Sequence, residues 1–404
     1  MKKLLSIFLI LLLLSGCAES GQDSSDKEEE KEKEEETEET VYNLSEITQE
    51  GTYIFNEDYD GSPIHILTDG DVILSFKDVT IESDSYCIYA EAVSSLTIQT
   101  DGKTTLKSTS KNEDVAAICC NCDLALTGSG VLYISSRSNA VICSATVSIF
   151  ASVNMDARKK GILAERVELI NGTTEISAGN DGIHAADILI DTYGSVSVSC
   201  DDDALHADNT ITIEKGSVTI DAHEGLEAYE VTVNGGDLLI YADDDGINAT
   251  GKGNLIINGG SLRIISSGDG IDSNGNIIVN GGDICIVSAN DNESSAVDYD
   301  KKAYLNGGTL IAYGSNETQT FSNVSSQQQL FVTSLNGKAG DNVTVYRNSE
   351  LIYEGSAGAD YSSILFSCEE VVAGMDYEIR VNNEVVKRIA IAEKQSGVDN
   401  RSDK

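Results

Sequence analysis

The sequence predicts an all-β protein, a right-handed parallel β-helix of about 22 residues per coil with a small C-terminal β module. A tetrapeptide of the type Gly-Ile-x-Ala begins at positions 161, 182, 204, 225, 246 and 270, at intervals of 21 to 24 residues. A glycine-containing turn follows each copy at the same pace, as at Asn258-Gly259-Gly260. Each unit holds three short runs of alternating apolar residues, and none shows a helical pattern.

One unit shows why the runs are predicted to be strands. Its apolar alternation covers Gly246 to Ala249, Asn254 to Ile257 and Ser261 to Ile265. A period of two buries one face of a strand, and three strands with three turns complete one coil. Stacked coils pair each strand with its equivalent in the next coil. The single proline, Pro63, agrees with strands that donate every ladder hydrogen bond.

Weaker copies of the tetrapeptide precede residue 161 and explain two of the nine cysteines. In this alignment Cys120 and Cys143 hold the position that is alanine in later coils, so we expect them to be small core residues. A disulfide between them is the open alternative, although it needs unusual geometry between strands in register.

The ends of the chain are predicted from composition. Lys2, Lys3 and a short apolar run lead to Leu14-Ser15-Gly16-Cys17, which resembles a bacterial lipoprotein signal. The expected organisation is a signal peptide at 1–16, lipidated Cys17 with an acidic tether at 17–40, a coil at 41–322, a capping module at 323–393 and a polar tail at 394–404. The expected location is therefore outside the cytoplasm, on the bacterial membrane, with contact only through the lipid.

The net charge of −40 limits the partners. Nucleic acid is not expected, because phosphate binding needs clusters of lysine and arginine. Anionic lipids and anionic sugars are expected to bind only if metal ions intervene. We expect a monomer.

Two polar ladders follow from the stacking. With isoleucine and alanine inward, the third position of the tetrapeptide and its glycine are expected to face outward, and the bare glycine column to form a shallow trough. The third positions are His184, His206, Glu227, Asn248, Asp272 and, by a looser alignment, Asp298. The residues before the glycine are Asp181, Asp203, Glu224, Asp245 and Asp269.

Acidic columns spaced about 4.8 Å apart suit Ca²⁺, which bridges oxygen ligands. The predicted metal ligands are Asp181, Asp203, Glu224, Glu227, Asp245, Asp269 and Asp272. His184, His206 and Asn248, with the ring-stacking candidates Tyr229 and Tyr241, are the predicted ligand-binding residues, and Tyr193 and Tyr313 are further stacking candidates. The alternative for each aspartate is an ordinary turn role, and for the histidines a surface ladder without acid–base chemistry.

The run Asp269-Gly270-Ile271-Asp272-Ser273-Asn274-Gly275, followed by Asn280-Gly281-Gly282, resembles the bacterial cellulose- and acidic-sugar-binding β-helix family. The resemblance covers roughly residues 60 to 390. It implies a pectate-lyase-like fold, export, polysaccharide binding and bound Ca²⁺ without established cleavage, with Asp245, Asp269 and Asp272 as the foremost metal ligands. His184, His206, Glu227 and Asn248 depart from the motif's aspartate, which leaves the number of metal sites open.

Three functions compete on these grounds. The favoured one is a non-catalytic polysaccharide-binding protein assisted by Ca²⁺, with acidic sugars preferred over cellulose because the chain has no tryptophan. The alternative enzyme is a polysaccharide lyase or galacturonase. No basic residue recurs beside the acidic ladder at one coil spacing, although Lys159 and Lys160 directly precede Gly161. The third is a structural adhesin without a sugar ligand.

Overall fold

The computed structural model describes residues 46–60, 63–112, 114–321 and 327–392. The predicted signal peptide, lipidated Cys17, tether and polar tail lie outside these residues. The described chain consists of strands and turns, and within it no helix is long and apolar enough to cross a membrane.

The chain winds into a β-solenoid of about 12 coils whose parallel bridges join residues roughly 22 positions apart, which confirms the predicted architecture. Each coil contributes to three parallel sheets. The first sheet holds Glu46–Ile47, Ile64–Leu67, Ile88–Ala92, Ala116–Cys120, Ile247–Ala249 and Ile271–Ser273. The second holds Gly51–Phe55, Asp71–Lys77, Ser95–Asp101, Asp123–Gly128, Asn254–Ile257, Asn276–Val279 and Lys302–Leu305.

The third sheet holds Tyr59–Asp60, Thr80–Ser83, Lys103–Ser108, Val131–Ser136, Ser152–Ala157, Thr173–Ala178, Asp237–Ala242, Ser261–Ser266, Asp283–Val287 and Thr309–Gly314. In the middle coils the strands continue around corners. Those that run from the first sheet into the second are Asn139–Ile149, Ile162–Leu169 and Glu224–Val233, and those that enter all three sheets are Ile183–Cys200 and Asp203–Ala222.

The alternation of apolar residues decides which face of each strand is buried. In Asn254–Ile257 the side chains of Leu255 and Ile257 are fully buried, whereas Asn254 and Ile256 face outward. Equivalent residues of every coil stack in the interior, and each buried isoleucine or leucine contributes roughly 1.5–3 kcal/mol. The continuous core that results holds neighbouring coils in register.

The glycine column of the tetrapeptide is buried, so the prediction that it forms a bare outward trough is wrong. A Cβ atom on Gly246 would lie 2.3 Å from Cγ2 of Ile264 and 2.5 Å from the carbonyl oxygen of Gly270. Gly182 and Gly225 meet the same two kinds of neighbour. The chain turns a corner at this position, so the two-residue alternation of a strand does not yet apply. At Gly182, Gly225 and Gly246 an interior methyl and the next coil's backbone leave no room for a side chain, whereas the coil between them accommodates the methyl group of Ala204.

The cysteines follow the predicted core pattern. Cys120 pairs in register with Cys143, and Cys143 with Ala164, in the inward column of the first sheet. Both cysteines are buried, with exposed fractions of 1% and 3%. The eight cysteines in the described residues are all free thiols.

A small antiparallel module follows the last coil, as predicted. Its strand Tyr361–Ser367 pairs antiparallel with both Thr309–Gly314 of the solenoid and Phe331–Gly337. A four-stranded antiparallel sheet has the order Glu350–Ser356, Asn342–Arg347, Asp376–Val381, Glu384–Ala390.

Packing against this module corrects one residue assignment. Tyr313, predicted to be a sugar-stacking candidate, is fully buried, and its ring meets that of Tyr361 edge-on at 5.3 Å. Its hydroxyl oxygen and that of Tyr361 are buried without a hydrogen-bond partner. Tyr313 is therefore part of the core that joins the last coil to the module.

Candidate functional site

The outward ladder of the first sheet is continuous in the structure. His184 pairs in register with His206, His206 with Glu227, Glu227 with Asn248, and Asn248 with Asp272. A bridge between Ile271 and Val297 extends the ladder by one coil to Asp298. The turn residues Asp203 and Glu224 also pair in register, so the two predicted polar columns run side by side.

The early end of the ladder contains balanced charges. The Asp181 carboxylate is buried, with 3% of the residue exposed, and accepts hydrogen bonds from Lys160 and, at 2.6 Å, from Nδ1 of His184. Burial alone would raise the pKa of Asp181, but these two donors and the charge of Lys160 outweigh it and lower the pKa to about 2. Asp181 is therefore an ionised, paired carboxylate.

The next coil repeats this arrangement with a different cation. Nδ1 of His206 lies 2.6 Å from Oδ2 of Asp203 and 2.9 Å from Oε2 of Glu227. The hydrogen bond to Asp203 and the charge of Glu227 raise the pKa of His206 to about 9, although burial opposes them. The rings of His184 and His206 stack with centroids 4.3 Å apart. These contacts hold His206 as an imidazolium between two carboxylates.

The late end of the ladder contains carboxylates without such cations. Asp269, Asp272 and Asp298 each place a carboxylate oxygen within 4.8 Å of the others. Burial, and then the neighbouring acids, raises the pKa of Asp269 to about 7 and of Asp272 to about 6. No lysine, arginine or histidine of the described chain lies within 4.0 Å of these three carboxylates. This end carries negative charge that the described side chains do not neutralise.

Two further acids connect the two ends. Burial, followed by repulsion from Asp203 and other acids, raises the pKa of Glu224 to about 7. Burial also raises the pKa of Asp245, against the hydrogen bond that its Oδ1 accepts from the amide of Asp269 at 2.7 Å. Asn248 donates a long hydrogen bond of 3.5 Å to Glu224, while its Oδ1 is buried and accepts no hydrogen bond.

The predicted aromatic residues are not gathered at this ladder. Tyr229 follows the first-sheet segment that ends at Ala228, and it is 48% exposed. Tyr241 lies on the third sheet, in register with Asp221 and Ile265, and is 43% exposed. Tyr193 is 87% exposed in the turn beside Lys215, whose Nζ lies 3.9 Å from the ring centroid. The three tyrosines do not form one platform.

Two residues with clear roles here were missed as predicted ligands. Asp298 completes the acidic group of the late end, and Lys160 binds Asp181. Asp298 lies 26 positions after Asp272, which is longer than the usual interval between coils. The only indication of its position was an acidic residue directly after two apolar residues. Lys160 directly precedes Gly161 and thus occupies the same turn position as the acids, a signal the alignment contained.

Comparison with known proteins identifies one family. The sequence model of the family described as "Carbohydrate-binding domain-containing protein" matches residues 42–291 and 223–356. The curated proteins and the solved structures gave no match. Since the two matched segments together span most of the chain, the protein belongs to the carbohydrate-binding domain-containing family.

Proposed function

We propose that this protein binds extracellular polysaccharide along the first sheet without cleaving it, and that Ca²⁺ at the late end of the ladder assists the binding. The observation that carries the proposal is the group formed by Asp269, Asp272 and Asp298, whose carboxylate oxygens lie within 4.8 Å of one another. Membership of a carbohydrate-binding family supports the sugar ligand. A regular ladder on successive coils suits a polymer with a regular repeat.

The donor set fits Ca²⁺ in its chemistry. Calcium takes carboxylate and amide oxygens, and it tolerates irregular geometry. Three carboxylates supply such oxygens, and the buried Oδ1 of Asn248, one coil before Asp272, accepts no hydrogen bond. Burial, and then repulsion from neighbouring acids such as Asp298, raises the pKa values of Asp269 and Asp272. A divalent cation would remove that repulsion and bring positive charge to the surface.

The charge of the site favours an acidic sugar over cellulose. Ca²⁺ held by protein carboxylates can also bind the carboxylate of a uronate. Neutral polysaccharides such as cellulose usually stack on rows of aromatic rings. The exposed tyrosines of this protein lie on different parts of the coil. Polygalacturonate is therefore the first polysaccharide to test.

A lyase reaction is not favoured by the contacts of Lys160, the basic residue in the turn column of the ladder. A lyase needs a free base near the metal-bound uronate. Lys160 is instead bound to the buried carboxylate of Asp181, and its Nζ lies 2.7 Å from Nδ1 of His184. An ammonium held in this way is a poor proton acceptor, so we propose a binding role.

The proposed setting is the outer surface of a bacterial membrane. A lipid on Cys17 would anchor the chain, and the acidic stretch that follows would hold a monomeric solenoid away from the bilayer. Mass spectrometry of the protein purified from membranes tests this proposal through the presence or absence of a diacylglyceryl group on Cys17.

The test of the calcium site uses the double substitution Asp269→Asn with Asp272→Asn. We expect calorimetric titration to show at least roughly tenfold weaker Ca²⁺ binding, because two charged ligands are lost. Retention of the protein by polygalacturonate in affinity electrophoresis should fall by a similar factor, both in this variant and in the wild type after chelation. The ultraviolet absorbance of unsaturated uronate, the product of a lyase, should not rise.

The matched control is Asp237→Asn with Asp283→Asn. These exposed aspartates lie on the third sheet of nearby coils, so the change in net charge is identical. The control should bind Ca²⁺ and polygalacturonate like the wild type. If both double variants bind Ca²⁺ and polygalacturonate equally weakly, the change in net charge causes the loss, and the assigned site is wrong.

A further inference from the structure

The turn between the third and first sheets changes its charge along the solenoid. Arg137 directly follows the third-sheet strand Val131–Ser136, and Arg158 directly follows Ser152–Ala157. In later coils the same position holds Asp201, His223 and Asp243. Backbone hydrogen bonds to the previous coil hold the turns in a stack, at 3.3 Å from Arg137 to Ser108 and 3.1 Å from Arg158 to Ser136.

The early coils thereby gather unpaired positive charge. Lys111, Arg137 and Arg158 line one open depression of about 390 Å³. All three are exposed, and no described carboxylate lies within 4.0 Å of their charged nitrogens. The backbones of Arg137 and Arg158 lie about one coil spacing, roughly 4.8 Å, apart. Like charges on side chains that leave the same turn of neighbouring coils repel one another in the free protein.

The fold does not require these arginines. The next coil has Gly179 at the equivalent position, with the same hydrogen bond, from its amide to the carbonyl of Ala157 at 3.1 Å. Aspartates occupy the position further on, so glycine, aspartate and arginine all satisfy the turn. A structural explanation therefore accounts for the stacked turn but not for its clustered cations.

The charges nearest to the depression decide whether it attracts or repels an anion. The chain has 67 acidic and 27 basic residues, so its distant field repels anions. At physiological ionic strength charges more than about 8 Å away are largely screened. An anion in the depression would therefore respond mainly to Lys111, Arg137 and Arg158.

We propose that Lys111, Arg137 and Arg158 form a second, metal-independent binding site for the anionic groups of the polysaccharide. The ligand chemistry is an oxyanion on a glycan, either a uronate carboxylate or a sulfate ester, which a guanidinium fork binds through two hydrogen bonds. The depression lies within the size range of ligand pockets, roughly 300–1,000 Å³.

Arg137 and Arg158 lie in the same turn as the acids of the late coils, two residues before the acidic column. Lys160, bound to Asp181, stands where the column changes sign. A polyanionic chain lying along this edge would contact cations directly in the early coils and through Ca²⁺ in the late coils. The inference thus rests on the proposed polysaccharide binding and adds a charge-selective contact to it.

The test uses the full chain with Arg137→Gln and Arg158→Gln together. Affinity electrophoresis is run with polygalacturonate, sulfated dextran and neutral dextran, once with chelator and once with Ca²⁺. With chelator we expect the wild type to retain weak, salt-sensitive binding to an acidic polymer, and the variant to bind it roughly tenfold less tightly. The calcium affinity of the variant should equal that of the wild type, because its acidic ladder is intact.

The control is Lys338→Gln with Arg388→Gln, which removes two exposed cations from the C-terminal module. It should bind like the wild type. A stronger loss on polygalacturonate identifies carboxylate as the ligand group, and a stronger loss on sulfated dextran identifies sulfate. Equal retention on neutral dextran overturns the basic site.

The outcome also separates the two proposals. Calcium-dependent glycan binding that the arginine substitutions leave unchanged overturns the basic site alone. Absence of binding to every polysaccharide overturns both proposals. Arginine-dependent binding that neither chelation nor the Asp269 and Asp272 substitutions weaken supports the basic site and overturns the calcium-assisted function.

Discussion

Replacement of Gly246 by valine is expected to lower the free energy of unfolding by about 3 kcal/mol. The first side-chain carbon would stand 2.3 Å from Cγ2 of Ile264 and 2.5 Å from the carbonyl oxygen of Gly270. The isoleucine belongs to the continuous core, and the carbonyl accepts the backbone hydrogen bond from Ile247. Neither can move without disturbing the packing or pairing of the next coil. Urea denaturation followed by circular dichroism measures the loss.

The contrasting variant is Ala204→Gly. Ala204 occupies the equivalent turn position one coil after Gly182, and its methyl group is fully buried. Its removal should cost only about 1 kcal/mol, from lost packing and greater freedom of the unfolded chain. A Gly246→Val protein within about 0.5 kcal/mol of the wild type would show that the glycine column faces solvent after all.

The stacking of the polar ladder was predictable because two periodicities agree. Alternation within each run specifies which residues face outward, and the near-constant interval between runs specifies which residues become neighbours. The pairing of His206 with Glu227 and of Glu227 with Asn248 follows from these two facts alone. Insertions at turns do not disturb the result, since each strand is placed in register by its own buried residues.

Other features depend on contacts that periodicity does not describe. The burial of Gly246 depends on how the chain turns its corner, where strand alternation does not apply. The engagement of Lys160 with Asp181 depends on where a long, flexible side chain reaches. The burial of Tyr313 depends on a strand some 50 residues later in the chain that returns to pair with its own. Each case involves a turn, a side-chain conformation or a distant segment.

Metal-free protein is expected to become more stable by about 2 kcal/mol when the pH falls from about 7.5 to about 5. The folded-state pKa values of Glu224 and Asp269 are raised to about 7, and that of Asp272 to about 6. The corresponding values in the unfolded chain are about 4. Between these limits the folded state binds more protons than the unfolded state, so stability falls as the pH rises. These acids interact, and the total is therefore smaller than three separate shifts.

Two other groups limit the range of this effect. The pKa of Asp181 is lowered to about 2, so its contribution is complete above about pH 4 and is lost as the pH falls further. The pKa of His206 is raised to about 9, so its contribution is complete below about pH 6.5 and is lost as the pH rises through 9. Both effects place the maximum stability of the metal-free protein between about pH 4 and pH 6.

Calcium should replace the protons in this role. At about pH 7.5 saturating Ca²⁺ should raise the free energy of unfolding by about 2–3 kcal/mol, whereas at about pH 5 the gain should shrink because protons compete for the same oxygens. Unfolding curves at the two pH values, each with chelator and with Ca²⁺, measure both effects. The Asp237→Asn, Asp283→Asn protein serves as the control and should respond like the wild type.

The Asp269→Asn, Asp272→Asn protein gives the sharpest form of the prediction, because the expected sign is unusual. Asparagine has nearly the size of aspartate but carries no charge, so it does not repel the neighbouring carboxylates. The metal-free variant should therefore be more stable than the metal-free wild type at about pH 7.5. The same protein should gain little from Ca²⁺ or from acid. If it is instead less stable than the metal-free wild type and still responds to Ca²⁺, the ion binds elsewhere and the late acids are ordinary turn residues. Repulsion among carboxylates on neighbouring coils thus both destabilises the metal-free protein and favours the binding of a cation beside them.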